Sequence, residues 1–477
     1  MGKDATNKSQ PNLTFGKAII CIAALIAVLF LGFAVLGCDT KVVFTVAGTV
    51  IGILLVCFGF KLADVFQWFT DGAKGSMDVI LILMSVGMVI GTWIVSGVVP
   101  TIIYYGLDFL TPQSFILTGF ALCCIVSFFI GSSYSTLATL GVAFMGIGAG
   151  LGINPGLTAG MVLSGALFGD KMSPFSDTTN MAPAVSGTTV YRHINSMMYT
   201  VIPAMLITIV GYFILSARLD TSSAEMTLVD EMMTGLAANF NITPVLFIIP
   251  VFTVVLMLFK LPPVIAMLAS AFGSIIMALI FQQDHSDFMT VINALGSGYF
   301  NESGVAEIDS LLNRGGIAGM MEVVAWTILT MGMGEMLKQS GVVGVFLQKL
   351  LGGIKKPRGL VIGTLGFSLI TACLTAAQYL AIMLPGMMLK DTYTKFKIDK
   401  RVLSRTLEDG GTMFSFLIPW DTAGIYTASV LGVATLSYLP YAILPLACPI
   451  VAIIYACTGL FIFKDETAEA EEAPAEV

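Results

Sequence analysis

Two stretches of this chain place charged and hydroxyl side chains inside otherwise apolar sequence. The residues of the first stretch that could do chemistry are Asp170, Lys171, Asp177, Thr178, Thr179 and Asn180. Those of the second stretch are Asp421 and Thr422. A charge at the centre of a membrane costs at least ~2.5–3.5 kcal/mol, and chains keep such residues mostly to handle ions, protons or charged solutes. Ion or solute handling is therefore the first chemistry that the sequence suggests.

Asp177 and Asp421 are predicted to be equivalent residues, one in each half of the chain. Each follows a proline, Pro174 or Pro419, in a glycine-rich apolar span. Proline removes a backbone donor and clashes with the preceding turn, so both spans are expected to be broken inside the membrane. Free carbonyls and half-helix ends would then face a shared interior that can coordinate ions. The alternative, in which each Asp-Thr pair only caps a kinked helix, remains open.

Two further apolar stretches, 112–150 and 359–389, are interrupted by small polar residues. Their candidate ion ligands are Ser133, Ser135, Thr375 and Gln378. Hard cations prefer oxygen ligands, and by the same logic Na⁺ would accept carboxylate, hydroxyl and carbonyl oxygens. Packing of helices through small residues is the alternative role for each of them.

Other charged residues have simpler interpretations. Lys171 is expected to pair with Asp177 or Asp421, either as a proton carrier or as a fixed counter-charge. Glu408 and Asp409 follow the basic segment 395–405 and are expected to form surface pairs. That segment indicates contact with the lipid surface and does not suggest nucleic-acid binding.

The composition indicates a membrane protein. The 477 residues are 56% hydrophobic and 11% charged, with a mean hydropathy of +0.91, whereas soluble domains carry about 25% charged residues. The eight cysteines are scattered without metal or redox spacing, and the two histidines are expected in loops. No catalytic set and no cofactor is expected, so the chain is not predicted to be an enzyme.

The elements that position these residues are predicted to be ten membrane-spanning helices of about 20 residues each. They lie near 17–36, 42–60, 79–104, 157–190, 195–216, 243–260, 262–282, 316–338, 405–432 and 437–462. The stretches 112–150 and 359–389 are predicted to be re-entrant hairpins, although two crossings each would give the same outer faces. The positive-inside rule then places both termini in the cytoplasm. Of 23 lysines and arginines, the outer loops keep only Lys41, Arg218 and Arg314, and Lys171 is left in the membrane.

The chain also repeats itself. Ser96–Val99 recurs as Ser340–Val343 at an offset of 244 positions, and Asp177 recurs as Asp421 at the same offset. The predicted fold is therefore an all-α polytopic membrane protein of two inverted repeats, each with five transmembrane helices, one of them broken, and a re-entrant hairpin. The predicted organisation is a cytoplasmic segment 1–16, a first repeat 17–216, an extracytoplasmic linker 217–242, a second repeat 243–462 and an acidic disordered cytoplasmic tail 463–477.

Several of these motifs resemble one family. The stretch from Gly169 to Ala184 is similar to the signature of NhaC-type Na⁺/H⁺ antiporters, and the segments 417–422 and 432–442 resemble that family as well. The likeness covers nearly the whole chain except the tail. It implies the ion-transporter superfamily architecture and the expulsion of Na⁺ in exchange for H⁺ across a prokaryotic cytoplasmic membrane. It equally covers exchangers that couple Na⁺ and H⁺ to small carboxylates such as malate and lactate.

The resulting hypothesis is that Na⁺ and protons compete at the membrane midplane for Asp177 and Asp421, and that the protein alternates access between the two sides. The expected partners are Na⁺, H⁺ and the lipid bilayer. A coupled exchanger of small carboxylates or amino acids is the first alternative, and an ion channel is the second. The oligomeric state, including a homo-oligomer, is left open.

Overall fold

The computed structural model describes residues 13–219, 223–259, 261–300, 309, 312–354 and 356–464. Within these residues the regular secondary structure is helical, apart from one isolated bridge between Ile398 and Lys464. Most of the predicted N-terminal segment and acidic tail, 1–12 and 465–477, falls outside the described residues.

Eleven helices make up the first half of the described chain. They are α1 (Phe15–Phe30), α2 (Thr40–Cys57), α3 (Leu62–Gly75), α4 (Met77–Val95), α5 (Val98–Phe109), α6 (Pro112–Ile130), α7 (Ser133–Thr136), α8 (Val142–Gly150), α9 (Pro155–Met172), α10 (Asp177–Ser186) and α11 (Val190–Ala217). A π-helical turn, Leu137–Gly141, joins α7 to α8, and another, Leu31–Val35, extends α1.

The second half begins with α12 (Ser223–Asn239), which lies in the predicted linker. It continues with α13 (Ile248–Leu258), α14 (Pro263–Phe281), α15 (Phe288–Asn293), α16 (Gly316–Gln339), α17 (Val342–Leu351), α18 (Pro357–Thr375), α19 (Gln378–Lys395), α20 (Lys400–Leu407), α21 (Met413–Ser415), α22 (Thr422–Leu431), α23 (Thr435–Tyr438) and α24 (Ile443–Thr458). A π-helical turn, Glu408–Thr412, joins α20 to α21.

Seven of the described helices are long and apolar enough to cross a membrane, and counting two sharply bent pairs as single spans gives up to nine. The protein is therefore a multi-pass membrane protein. The predicted span 79–104 is shorter than expected, because α4 stops at Val95. Gly97 then adopts a left-handed conformation with φ +79°, and α5 starts at the next residue.

Helix starts follow local sequence signals. Thr111 and Ser114 form a reciprocal capping box, and Pro112 occupies the first helical position of α6. Asn154 accepts hydrogen bonds from two backbone N–H groups at the start of α9. These caps fix where α6 and α9 begin, and the two helices pack against each other to carry the polar residues of the first half.

The boundaries of the helices recur along the chain. Helix α18 starts 245 positions after α6, and α22 starts 245 positions after α10. The glycines that end α10 and α22, Gly187 and Gly432, are also 245 positions apart and both have positive φ. Two segments of the chain therefore share one order of helices and turns, one step away from the offset of 244 seen in the sequence.

The apolar core has two main parts. The larger cluster is formed by residues of α4 to α6, α8, α9, α14 and α22, with Trp93 and Tyr426 among its largest side chains. The smaller cluster is formed by residues of α1, α2 and α16 to α20. The polar residues described below lie where helices of both clusters meet.

Candidate functional site

Two helices are broken where the prolines predicted it. Four residues, Ser173 to Ser176, separate α9 from α10. A second non-helical segment, ending at Asp421, separates α21 from α22. Each break leaves backbone groups that need partners, because helix ends carry unpaired N–H and C=O groups.

The turn between α6 and α7 contacts the first break. Gly131 has φ +73°, and a Cβ atom at this position would lie 2.8 Å from the carbonyl carbon of Phe175. Glycine therefore allows both the turn and the close backbone approach. Just beyond the turn, the Ser133 hydroxyl donates a hydrogen bond of 2.7 Å to Asp170 Oδ2.

The turn between α18 and α19 contacts the second break in the same way. Ala376 has φ +52°, an unusual conformation for a residue with a side chain. Its carbonyl oxygen accepts a 3.1 Å hydrogen bond from the backbone N–H of Thr422. The indole N–H of Trp420 donates to the carbonyl of Cys373 at 2.9 Å. Each turn thus supplies partners for a broken helix.

The helix caps correct the predicted equivalence of Asp177 and Asp421. Asp421 caps α22 by accepting a 3.0 Å hydrogen bond from Ala423 N–H. The residue that caps α10 is Ser176, which accepts from Thr179 N–H, and Asp177 is already the first helical residue. A register taken from helix boundaries therefore aligns Asp421 with Ser176, one residue before Asp177.

In this register the acid and the serine exchange places between the two breaks. At the offset of 245 positions, Asp170 aligns with Ser415, and Ser176 aligns with Asp421. Asp170 lies close to Ser176 in the first break, and Asp421 lies close to Ser415 in the second. Each break thus brings together one carboxyl group and one serine. The acid precedes the first break in the chain, whereas it ends the second.

Asp177 does not lie in a buried midplane position. Its side chain is exposed and lines a cavity of about 390 Å³. Asn180, Ser132 and Ser135 line the same cavity, whose far wall is the connection between α13 and α14. The Ser135 hydroxyl is buried and has no hydrogen-bond partner within the described chain. The prediction of two matched buried acids at 177 and 421 is therefore wrong for Asp177, which lies at the entrance to the first break.

Asp421 is fully buried, and one of its two carboxyl oxygens is unused. Its Oδ1 atom accepts the cap hydrogen bond, and the Thr422 hydroxyl lies 3.4 Å from the same atom. Its Oδ2 atom has no hydrogen-bond partner among the residues that the structure describes. A buried acceptor in this state calls for a proton or a cation.

Tyr134 connects the first turn to the second half of the molecule. Its hydroxyl donates to Gln378 Oε1 at 3.3 Å, and its carbonyl accepts from the Tyr426 hydroxyl at 2.8 Å. The rings of Tyr134 and Tyr426 pack with centroids 4.5 Å apart. Gln378, a predicted ion ligand, is thereby oriented by a residue of the other half.

Lys171 pairs with Asp409, so the predicted pairing with Asp177 or Asp421 is wrong. The Nζ to Oδ1 distance is 2.6 Å and both side chains are fully buried. The Thr200 hydroxyl donates to the same Oδ1 atom at 3.1 Å. Successive residues on a helix point about 100° apart, so Asp170 faces Ser133 at the start of α7 while Lys171 faces Asp409.

Glu408 and Asp409 are not surface residues, and that prediction is also wrong. Both are fully buried, as is the neighbouring Arg405. The Glu408 Oε2 atom accepts a short hydrogen bond from Thr412, and its Oε1 atom has no hydrogen-bond partner in the described ranges. Glu408 also lies close to Thr178. The sequence signal was the pair Gly410-Gly411 inside an apolar span, which accompanies a π-helical turn, a feature common at functional sites.

The remaining predicted ligands mostly stabilise the backbone. Thr179 donates its hydroxyl to the carbonyls of Asp170 and Lys171, and Asn180 donates its amide to those of Pro174 and Ser176. Thr375 donates to the carbonyl of Thr371 one turn earlier. His193, expected in a loop, lies buried in α11 and its Nδ1 atom is 2.7 Å from the Ser404 hydroxyl.

The charges around the two breaks do not balance. Asp170, Glu408 and Asp421 are buried without an ion pair in the part of the chain that the structure describes. An unpaired carboxylate inside a protein is costly and is normally neutralised. No three His, Cys, Asp or Glu side chains converge as metal ligands among the described residues. Protons, or monovalent cations held by one carboxylate with hydroxyl and carbonyl oxygens, fit these positions.

Comparison with known proteins gives the family. The sequence profile of the Na⁺/H⁺ antiporter family matches residues 9–174 and 165–460. The chain belongs to the Na⁺/H⁺ antiporter family. It is 33% identical to the Na⁺/H⁺ antiporter NhaC of Alkalihalophilus pseudofirmus, over 96% of this chain and 98% of the relative. The NhaC-type resemblance seen in the sequence is thereby confirmed.

Other relatives in this family carry different names. The malate-2H⁺/Na⁺-lactate antiporter of Bacillus subtilis is 35% identical over 95% of this chain and 97% of its own length. The arginine/ornithine antiporter ArcD of Halobacterium salinarum is 32% identical over 97% of this chain and 96% of its own length. All three are named as antiporters, a class of transporter and not of enzyme.

Proposed function

We propose that this protein exchanges Na⁺ for H⁺ across a prokaryotic cytoplasmic membrane by alternating access. The observation that carries the proposal is a set of three buried acids: Asp170 and Asp421 beside the two helix breaks, and Glu408 in the π-helical turn Glu408–Thr412. Each acid can be neutralised by either a proton or a cation, so the two compete for the same position. Family membership supports the same conclusion.

In the proposed site, the cavity beside Asp177 admits the ion and Asp170 receives it. Asp177 and Asn180 lie at the cavity wall, and the Ser133 hydroxyl already orients the Asp170 carboxyl group. Ser135 contributes a free hydroxyl oxygen. Carboxylate, hydroxyl and carbonyl oxygens form the ligand set expected for a hard cation.

The second part of the proposed site is Asp421. Glu408, which lies close to Thr178 at the start of α10, belongs with Asp170 in the first part, and the Lys171–Asp409 pair serves as a fixed charge pair. Both helix breaks are contacted by a turn of their own half, and the helix boundaries recur at 245 positions. This recurrence supports two repeats. Their opposite orientation, with the two turns as re-entrant hairpins and both termini in the cytoplasm, is part of the proposal.

The test replaces each buried acid by its amide in proteoliposomes that contain a pH-sensitive dye. Asp421→Asn keeps the helix cap, because asparagine caps helices as well as aspartate, but it removes the charge. We expect Asp421→Asn and Asp170→Asn to abolish Na⁺-driven proton movement. The matched control is Asp287→Asn, the same change in an exposed cap, that of α15, which should transport normally. Full transport by both buried-site variants would overturn the proposal.

Competition between the two ions also predicts a pH dependence. A lower proton concentration leaves more of the buried carboxyl groups free for Na⁺, so the Na⁺ concentration for half-maximal transport should fall as pH rises. The measurement is initial dye response against Na⁺ concentration at a series of pH values. A half-maximal concentration that is constant with pH would show that the ions do not share a site.

A second candidate function is the coupled exchange of a small carboxylate. Two relatives carry organic substrates in their names, and Arg314, which forms no ion pair within the described residues, lines a separate cavity of this protein. Radiolabelled uptake of malate, lactate or arginine into Na⁺-loaded proteoliposomes distinguishes this function from simple Na⁺/H⁺ exchange.

A further inference from the structure

A second cavity, of about 530 Å³, lies beside the start of α16 and the end of α22. Its polar lining residues are Ser297, Asn313, Arg314 and Ser429, and its apolar lining includes Ile90, Phe300 and Met320. It has no lining residue in common with the cavity beside Asp177. Most of its surface is apolar, so the few polar groups decide what it can bind.

Arg314 is the one charged residue among the described residues that line this cavity. Its guanidinium group forms no ion pair within the described residues, and its buried Nε atom has no hydrogen-bond partner there. The Nη1 atom lies 3.3 Å from where a Cβ atom on Gly432 would be placed, so the group reaches across to the end of α22. An arginine in this state offers several N–H donors and one positive charge to a ligand.

Ser297 and Ser429 offer hydrogen-bond acceptors, in contrast to the donors of Arg314. The hydroxyl of Ser297 donates to the carbonyl of Asn293 at 3.0 Å, and that of Ser429 donates to the carbonyl of Ile425 at 2.9 Å. With the single hydroxyl proton engaged in this way, each serine presents an acceptor to a ligand. A complementary ligand therefore carries an anionic group for Arg314 and a separate donor for the serines.

We propose that this cavity binds a small 2-hydroxy carboxylate. The carboxylate would pair with Arg314, the adjacent hydroxyl would donate to Ser429 or Ser297, and a short carbon chain would lie against Ile90 and Met320. The site is distinct from the proposed ion site. The role of the ligand as a transported solute rests on the proposed function, whereas its binding does not.

The test measures binding of radiolabelled lactate to the purified full-length protein at fixed Na⁺ concentration and ionic strength. We expect saturable binding by the wild type that unlabelled glycolate displaces. Propionate, which lacks the hydroxyl, should displace lactate at least roughly tenfold less well, and chloride should not displace it. Absence of saturable lactate binding, or equal displacement by propionate or chloride, would overturn the inference.

Two variants and one control assign the binding to this cavity. Arg314→Gln should weaken lactate binding at least roughly tenfold, because it removes a charge-assisted contact. Gly319→Leu should do the same while keeping Arg314, since Gly319 lines the cavity and a side chain there meets open space. Arg218→Gln, a change at an exposed arginine, should bind as the wild type does. Wild-type binding by both cavity variants would contradict the assignment.

The proposed Na⁺/H⁺ exchange and the proposed carboxylate site can be contradicted independently of each other. Na⁺-driven proton movement by the wild type in lactate-free proteoliposomes tests the proposed function alone. If that movement occurs and lactate does not bind, the proposed function stands and the carboxylate site is wrong. If lactate binds and no Na⁺-driven proton movement occurs, the site stands and the exchange of Na⁺ for H⁺ is wrong.

Discussion

At the scale of single residues, the Lys171–Asp409 pair stands apart from the other buried charges. Each partner neutralises the other, and Thr200 adds a hydrogen bond to Asp409 Oδ1, whereas Asp409 Oδ2 has no hydrogen-bond partner among the described residues. A buried ion pair contributes little net stability, but the loss of one partner leaves an uncompensated charge. The pair is therefore better suited to a structural role than the unpaired acids Asp170, Glu408 and Asp421.

Removal of one partner of the Lys171–Asp409 pair should destabilise the protein more than removal of both. Lys171→Met should destabilise the protein by about 3–5 kcal/mol, because Asp409 stays buried without its cation. The double change Lys171→Met and Asp409→Leu should recover most of that loss. The measurement is the thermal unfolding midpoint in detergent, with Lys74→Met at an exposed pair as a control that should change it little. A double variant as unstable as the single one would contradict this view.

Residue types could be predicted from the sequence, but their partners could not. The sequence predicts Asp170, Asp421 and Ser133 because polar groups are costly in apolar segments, and the structure places the two acids beside the helix breaks, with Ser133 bonded to Asp170. The partner of Lys171 depends on which way a helix faces. A change of one residue turns a side chain by about 100°, and the sequence does not fix the rotation of α9 against α20.

At the scale of elements, the two turns that contact the broken helices differ in one respect. Gly131 occupies the left-handed position in the first turn, and Ala376 occupies it in the second. A side chain is strained in this conformation by roughly 1–2 kcal/mol. The second turn therefore tolerates a strain that the first avoids, where the backbone of Phe175 also leaves no room for a Cβ atom.

Exchange of these two residue types should have opposite effects. Gly131→Ala should lower the unfolding midpoint, because it adds left-handed strain and a contact with Phe175, and should cost more than ~1 kcal/mol. Ala376→Gly should leave the midpoint unchanged or raise it, since it relieves strain. Both are read from thermal unfolding in the same detergent. Equal loss in the two variants would show that the turns are not equivalent in conformation.

The sequence located the helix breaks but not the π-helical turns beside them. Pro174 and Pro419 marked the breaks, because proline has a fixed effect on a helix. The turn Glu408–Thr412 has only a weaker marker, the pair Gly410-Gly411, because tertiary packing determines whether the chain forms an α-helical or a π-helical turn there. The sequence therefore predicts a surface position for Glu408, because the neighbouring segment is basic, although that segment is itself partly buried.

At the scale of the whole molecule, the two cavities have walls in loops that are predicted to lie on opposite sides of the membrane. The cavity beside Asp177 is lined by Leu261 and Pro262 between α13 and α14, and the distribution of basic residues predicts that this connection faces the cytoplasm. The cavity of Arg314 is lined by Ser297 and Asn313 of the predicted extracytoplasmic loop. This arrangement makes the orientation testable through the cavities.

Single cysteines should report on the two sides separately. In a variant without native cysteines, Asn180→Cys should react with an impermeant thiol reagent added to the cytoplasmic face. Ser429→Cys should react only from the other face. Labelling in right-side-out and inverted vesicles distinguishes the two, and the cysteine-free protein is the control. Reaction of both positions from one side would contradict the predicted orientation.

Because the acid and the serine are interchanged between the two breaks, the two acids lie at opposite ends of helix dipoles. Asp170 lies in the last turn of α9, where aligned peptide dipoles concentrate partial negative charge, and Asp421 lies at the start of α22, where they concentrate partial positive charge. A sodium ion is drawn to the first pole and repelled by the second. We therefore expect sodium to bind the two acids in a fixed order, with Asp170 first.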